Sequence, residues 1–368
     1  MKTIHKTIPI PDDLYIKHYF SNSCAFFDIE TTGFSAKTAF VYLIGMALRQ
    51  GDALHIYQFL AENRSEESDL LTAFHKHLES IHMLITFNGL RFDIPFLKAR
   101  EQANGIRCDW NRCQNMDLYK LTGKLAHLFQ LPDKKQKSVE EFLKINRDDT
   151  YNGGELIPVY YAYEKQQDPQ LEHLLLLHNY EDVLGMTKLL SLLSYRDFLE
   201  SPADVCDVSL QNHKRYNSGI EESELLLTLQ VSMPFPQKFL FQSGLCSLRC
   251  EDASAKLCIP VFTGELKYYY ENYKDYYYLP EEDMAIHKSV AAFVDAPHRK
   301  KATAATCYTR KSASFLPQAE RLCTPAFYNE KKSSLSYFEM TEEFLSDMAA
   351  LNVYAGHLLN VCLQMKGK

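Results

Sequence analysis

The chain lacks any apolar stretch that could cross a bilayer. Its longest apolar runs, such as Leu174 to Leu177 and Val290 to Val294, fall far short of the roughly 20 residues a spanning helix needs. The first residues, Lys2, His5 and Lys6 and then Pro9, Pro11, Asp12 and Asp13, lack the long apolar core of a secretory leader. A cytoplasmic location, with no membrane partner, is therefore the expectation. The ten cysteines lack the spacing of a disulfide framework and suit free thiols in a reducing compartment. Cys246, Cys250 and Cys258 form a cluster close enough to weigh as a zinc site, but it has no CxxC knuckle and no evident fourth ligand. Strand-buried thiols are the expected account. Positive charge is also short: 40 lysines and arginines face 47 acids, a net charge of −7. That argues against coating nucleic acid through bulk electrostatics. It does not exclude an enzyme acting on nucleic acid, because acids that hold metal ions add negative charge that the metal reverses locally.

What is present describes a globular α/β protein. With 368 residues, 46% of them apolar and 24% charged, there is room for two domains, each with its own core. The stretch Ala25-Phe26-Phe27-Asp28-Ile29-Glu30-Thr31-Thr32-Gly33 organises the rest. As a strand it projects Asp28 and Glu30 from one face. Two like charges there resist burial unless a cation holds them, and carboxylate oxygens suit magnesium or manganese. The plainer alternative is a strand end running into a polar turn. Residues 1 to 21 read as a polar lead-in with one short helix near Asp12 to Tyr19. Strands follow at Cys24 to Glu30, Val41 to Arg49 and Leu54 to Leu60, the last two joined at Gln50-Gly51-Asp52. A helix is expected over Glu66 to Ile81, a strand at Met83 to Phe87, and a helix opening at Phe92 to Leu97. Ser138 and Glu141 read as a capping box. Helices are expected over Glu155 to Lys165 and Pro169 to Leu193. Strands first, then strands alternating with helices, make a layered α/β domain.

Asp93, at a helix start, and Asp182, within an otherwise apolar helix, have dull explanations singly. With Asp28 and Glu30 they make four carboxylates, enough for two divalent ions of the kind that activate a water and stabilise a leaving oxygen. His178, four residues before Asp182, shares its helix face and could take the water's proton.

These residues resemble a known family. Phe27-Asp28-Ile29-Glu30-Thr31-Thr32-Gly33, Thr86-Phe87-Asn88-Gly89-Leu90-Arg91-Phe92-Asp93-Ile94-Pro95-Phe96-Leu97 and Asn179-Tyr180-Glu181-Asp182-Val183 are similar to the three motifs of the DEDD exonucleases. Those enzymes have the ribonuclease-H-like (DnaQ-like) fold, and the form most like this one is the bacterial YprB-like group. The resemblance spans about residues 22 to 198. It implies a mixed sheet flanked by helices and a 3′-to-5′ exonuclease that removes nucleotides from single-stranded DNA or RNA with two Mg2+ or Mn2+ ions. By the resemblance, Asp28, Glu30, Asp93 and Asp182 hold the metals, Glu30 also meeting the terminal hydroxyl. The Thr31-Thr32 backbone approaches the terminal nucleotide, Phe34 lies near its base, and Asn88 orients a loop or a phosphate. The third motif departs from the family. Its base is usually a tyrosine four residues before the last aspartate or a histidine five before. Here the position four before is His178, the position five before is Leu177, and Tyr180 is only two before. His178 is the expected base.

The composition changes near Ser194 to Val205. Short strands at Leu225 to Val231, Lys238 to Gln242, Leu245 to Arg249, Leu257 to Phe262 and Val290 to Val294 predict a smaller β-rich (α+β) domain, closed by a helix over Thr341 to Gln364. The expected division is thus a lead-in (1–21), an exonuclease domain (22–198) and an accessory domain (199–368). Tyrosines and lysines alternate from Lys267 to Tyr278. With His298 to Lys301 and Tyr308 to Lys311 they could stack bases beside phosphates, or simply pack the β-domain. Two other functions fit the same residues: structure-selective endonucleolytic cleavage, or a catalytically idle nucleic-acid-binding or scaffold protein.

Overall fold

The computed structural model of the chain describes residues 1–214 and 221–364. They form two compact units, Met1–Asp197 and Phe198–Lys368. Among the described residues no helix is long and apolar enough to cross a membrane.

The first unit is built on a six-stranded mixed sheet of β1 (Lys2–Pro9), β2 (Cys24–Thr31), β3 (Val41–Gln50), β4 (Ala53–Leu60), β5 (Met83–Thr86) and β6 (Gln114–Asp117), in the order β1-β4-β3-β2-β5-β6. The β3–β4 turn is the Gly51-Asp52 pair, with Gly51 at φ 60° supplying the left-handed residue a two-residue hairpin needs. Central β2 runs antiparallel to β3 and parallel to β5, which is parallel to β6. The helices are α1 (Leu14–Tyr19), α2 (Glu67–His77), α3 (Asp93–Ala103), α4 (Leu118–Leu125), α5 (Gln136–Phe142), α6 (Gly153–Gln166) and α7 (Pro169–Lys188), and α8 (Leu192–Glu200) follows, running past Asp197, the last residue of this unit.

Strand alternation sorts the core into two layers. Phe27, Ile29, Ile44 and Phe59 pack with Leu71, Phe74 and Leu97 of α2 and α3. Tyr42, Leu43 and Leu60 pack with Leu156, Tyr160 and Leu175 of α6 and α7. Because Phe27 and Ile29 face the first layer, Asp28 and Glu30 face α6 and α7.

Three local expectations are corrected in this unit. The lead-in contributes an edge strand, β1, paired with β4 from Lys2↔Leu60 to Pro9↔Ala53. Its mostly polar residues give no two-residue apolar period, so backbone pairing forms it. Ser138 is not a cap: its hydroxyl bonds Asp133 at 2.6 Å, and the α5 N-cap, Lys135, makes no side-chain cap bond. The capping box is Asn152 with Glu155 at the start of α6. The helix expected over 169–193 ends at Lys188, passes through a 3-10 turn at Leu189–Ser191 and resumes as α8.

The second unit is β-rich. Its strands are β7 (Val205–Lys214), β8 (Glu221–Leu229), β9 (Phe239–Gln242), β10 (Ser247–Glu251), β11 (Ser254–Tyr269), β12 (Tyr276–Leu279), β13 (Met284–His287), β14 (Lys300–Lys301), β15 (Tyr308–Gln318) and β16 (Ser336–Glu339). Long β11 pairs with β8 and β10 along its first half and β15 along its second, while β12 to β14 make a separate three-stranded sheet. Among the described residues two short helices, α9 (Lys288–Ala291) and α10 (Glu342–Ser346), and the longer α11 (Met348–Gln364) accompany these strands. Val290 to Val294 is therefore no strand. Val290 is 56% and Phe293 91% exposed, and so short an apolar run cannot by its period distinguish strand from helix. The closing helix is split at Asp347, whose carboxylate accepts from the Ala349 and Ala350 N–H groups and starts α11 afresh. The tyrosines largely pack on one another: Tyr270 stacks on Tyr276 at 4.3 Å, and Tyr269 meets Tyr308 edge-on. Cys246, just before β10, and Cys250 on β10 are buried, and Cys258 is half-buried on β11.

Candidate active site

The end of β2 is irregular where the two acids sit. Glu30 pairs with Leu43 and Thr31 with Val41, leaving Tyr42 as the extra residue of a bulge. Bulges bend a strand and re-aim its side chains, and Thr31 and Thr32 leave the sheet here. Helix α7 then crosses the acids' face. It can approach because Gly45, the cross-strand partner of Asp28, has no side chain: a Cβ there would lie 2.1 Å from Asn179 Oδ1. The Asn179 amide donates to Asp28 Oδ2 at 3.3 Å, while Gln58 donates to Asn179 Oδ1 at 3.1 Å and to the Leu176 carbonyl at 2.8 Å. Asp28 is thus seated by a neutral amide.

One helical turn of α7 supplies His178 and Asp182. His178 Nε2 lies 3.4 Å from Glu30 Oε1 and 3.2 Å from Asp182 Oδ2. Its Nδ1 lies 2.8 Å from Asp149 Oδ2. With Nδ1–H donating its hydrogen bond to Asp149, an unprotonated Nε2 would present a lone pair to two carboxylate oxygens. The arrangement therefore calls for a cation between them, either a proton or a metal ion.

Asp93 enters from the start of α3, reached through the Asn88-Gly89 turn. Asn88 has φ 66°, and a Cβ at Gly89 would come within 2.5 Å of Thr86. Asp117, at the end of β6, accepts from the Asn88 N–H at 2.8 Å and the Leu90 N–H at 3.4 Å, fixing that turn. Asp93 Oδ1 accepts from the Ile29 N–H at 3.3 Å, which ties α3 to the strand between the two acids.

Charge is unbalanced at this spot. Burial, followed by the Asp182, Asp93 and Glu30 charges, holds the Asp28 carboxyl well above the usual carboxylate range. Burial, then Asp182, Asp93 and Asp149, does the same to Glu30. Asp93 is pushed up to about 7, chiefly by burial, which outweighs its backbone hydrogen bonds, with Asp117 and Asp182 adding to the rise. No lysine or arginine among the described residues forms an ion pair with these three. The Tyr42 hydroxyl, within electrostatic range of Glu30 and Asp28, is buried with no hydrogen-bond partner. Buried carboxylates short of a cation form a hard-oxygen donor set, and Mg2+ or Mn2+ fits it. Glu30, His178 and Asp182 also place one donor atom each within 4.8 Å of the others.

The structure thus brings together Asp28, Glu30, Asp93, Asp182 and His178. It does not bring Tyr180 there, since that ring lies under Lys6 Nζ at 4.7 Å. Thr32 Oγ1 accepts from the Phe40 N–H at 3.0 Å, Thr31 Oγ1 donates to the Gly33 carbonyl at 2.9 Å, and Phe34 is 82% exposed. No hydrogen bond joins the Asn88 or Phe34 side chain to the acids among the described residues.

Two residues of the loop between α5 and α6 escaped sequence reasoning. Asp149 holds His178; burial acts to raise its pKa, but the His178 hydrogen bond and charge prevail and leave it lowered. Arg147 bonds Asp182 Oδ1 at 2.6 Å and Glu140 Oε2 at 3.1 Å, and despite its burial these acids hold its charged form. Nothing in Asn146-Arg147-Asp148-Asp149 distinguishes it from a solvated turn. The only available signal was the apolar Ile145 before it, which implies that the loop returns to the core.

The RNase_H superfamily model matches residues 25–194. A curated relative, the uncharacterized protein YprB of Bacillus subtilis, is 31% identical over 196 residues, 52% of this chain and 46% of YprB. The match thus spans about half the length of that relative. Among solved structures, the family B DNA polymerase of Pyrobaculum calidifontis is 19% identical with a TM-score of 0.38, covering 49% of this chain and 25% of that one. The zinc-bound E. coli ExoI–ssDNA complex is 10% identical with a TM-score of 0.30, covering 58% and 55%. Motifs, sheet order and sequence matches point the same way: residues 25–194 are similar to the RNase_H superfamily and, over about half of each chain, to YprB.

Proposed function

We propose that the chain is a metal-dependent nuclease, a 3′-to-5′ exonuclease hydrolysing phosphodiester bonds at single-stranded DNA or RNA ends. The observation that carries this reading is the convergence of Asp28, Glu30, Asp93 and Asp182 on one buried spot beside His178 Nε2, with no lysine or arginine among the described residues paired with the first three. These four acids would hold two Mg2+ or Mn2+ ions, which when bound activate a water and stabilise the leaving oxygen. His178 is the general base. Asp149 accepts the hydrogen bond of the Nδ1–H group and so turns the Nε2 lone pair toward the acids. Arg147 fixes the Asp182 rotamer through Oδ1, leaving Oδ2 turned toward His178. Where β2 leaves the sheet, the Thr31-Thr32 backbone meets the terminal nucleotide. Exposed Phe34 stacks on its base, and Asn88 orients its loop or a phosphate. In this reading residues 22–198 are the exonuclease domain and 199–368 an accessory domain that positions the substrate.

Oligonucleotides of DNA and RNA labelled at the 3′ or the 5′ end, incubated with Mn2+, Mg2+ or chelator, test the proposal. Mononucleotide release from the 3′ end, dependent on metal and abolished in Asp28→Ala, is expected; no cleavage by folded protein under any metal condition overturns it. One observation favours a second role for His178: its Nε2 lies within ligand range of Glu30 and Asp182. As a base, His178→Ala lowers turnover about a hundredfold and leaves Mn2+ binding intact. As a ligand, the same change removes Mn2+ affinity as well.

A further inference from the structure

A second cluster of donors lies in the first unit, on α2, α3 and the loop that follows. His75 in the last turn of α2, Glu101 near the end of α3 and Cys108 just beyond it bring a ring nitrogen, a carboxylate oxygen and a sulfur within 4.8 Å of one another. His75 Nε2 is 2.8 Å from Glu101 Oε1. The other oxygen, Oε2, accepts from Trp110 Nε1 at 2.8 Å, so the indole fixes the carboxylate with Oε1 turned toward the imidazole. Glu101 is 3% exposed, and no lysine or arginine among the described residues pairs with it. A buried carboxylate in that condition is expensive. A purely structural strut would need only His75, Glu101 and Trp110, whereas here a thiol has been added.

The cluster is also reachable. His75, Cys108 and Trp110 line a cavity of about 340 Å³, and Glu101, Cys108 and Trp110 line an adjoining one of about 530 Å³. We propose that His75 Nε2, Glu101 Oε1 and Cys108 Sγ form a zinc site, three protein ligands with a fourth position open to the cavity for water. The donor set selects the ion, because nitrogen and thiolate with a single carboxylate suit Zn2+ and not the Mg2+ or Mn2+ that four carboxylates favour. At zinc bond lengths of about 2.0 to 2.3 Å, tetrahedral ligand atoms stand about 3.3 to 3.6 Å apart. His75 and Glu101 therefore need to part by about half an ångström, a small rotation of two side chains. Burial, then the Glu101 charge, pushes the Cys108 thiol up to about 11. The thiol keeps its proton in the metal-free cluster and releases it to solvent as the sulfur binds the ion.

Cobalt(II) is the probe, because a thiolate ligand gives it a near-ultraviolet charge-transfer band that carboxylate and imidazole ligands do not. The full chain, stripped of metal and titrated with cobalt(II) under reducing conditions, is expected to develop that band up to one equivalent and lose it on adding zinc. Cys108→Ser abolishes the band and His75→Gln weakens it, while Asp28→Asn leaves it unchanged, which separates this site from the acidic one whether or not the chain is a nuclease. Cys108→Ala carries the same expectation should the serine variant fail to fold. No band in folded protein, or a band that persists in the Cys108 variants because another of the ten cysteines supplies the sulfur, overturns the proposal.

Discussion

Burial raises the Asp93 carboxyl from the usual 3.8 to about 7, and Asp28 and Glu30 shift in the same direction. The sign of the consequence follows from proton counting. Between the two values the native chain keeps a proton that the unfolded chain has lost, so raising the pH favours unfolding. The contribution is whole below about pH 4 and is lost as the pH rises through about 7. A shift of this size at Asp93 corresponds to an effect on the order of a few kcal/mol. In chelator, the urea midpoint of the chain is therefore expected to be lower at pH 8 than at pH 5. Asp93→Asn should flatten that difference, since its amide never ionises. A midpoint that rises with pH, or a slope indifferent to Asp93→Asn, would remove the charge imbalance from the account of this site. Added Mn2+ acts in the opposite sense and stabilises most at high pH, where the acids are ionised.

The element that assembles the site is α7, and its position depends on a single missing side chain. Gly45→Ala would set a methyl 2.1 Å from Asn179 Oδ1, at a helix whose Gln58 and Asp28 contacts leave it little room. Moving α7 away by the required ångström or more separates His178 and Asp182 from Glu30 together. Gly45→Ala is expected to destabilise the fold by about 1–3 kcal/mol and to cut turnover at least tenfold. Urea unfolding and initial rates under metal saturation measure the two effects, and normal rates would show that α7 need not sit so close. The same elements show where the sequence was legible. Asp28 and Glu30 announce themselves because ionisable residues at strand period break an apolar run, and His178 and Asp182 because a four-residue spacing fixes a shared helix face. Edge strand β1 left no such trace, since a strand held by backbone pairing need not alternate. Arg147 and Asp149 were equally silent, because a loop carries no period to relate its residues to a distant helix. The split of the closing helix at Asp347 illustrates the same limit: an aspartate can cap a helix or ride on it, and only the partner N–H groups decide.

At the scale of the whole molecule, the chain has two units with separate sheets and separate cores, and among the described residues the side-chain groups that could hold a metal ion lie in the first. A ligand stabilises only what unfolds when it is lost, by RT ln(1 + [L]/Kd). At a hundredfold excess over Kd that is about 2.7 kcal/mol, enough to slow exchange through global opening of the liganded unit about a hundredfold. If the units unfold independently, Mn2+ protects the amides of β2, β3 and β5 to this extent and leaves those of β8, β11 and β15 as they were. Protection that spreads equally into the second sheet would instead mean that the two units open as one. The distinction bears on the proposed function, because under that proposal a second unit that unfolds on its own would only present substrate to the acids. One that shares their stability can be coupled to whether they are charged, metal-bound or occupied.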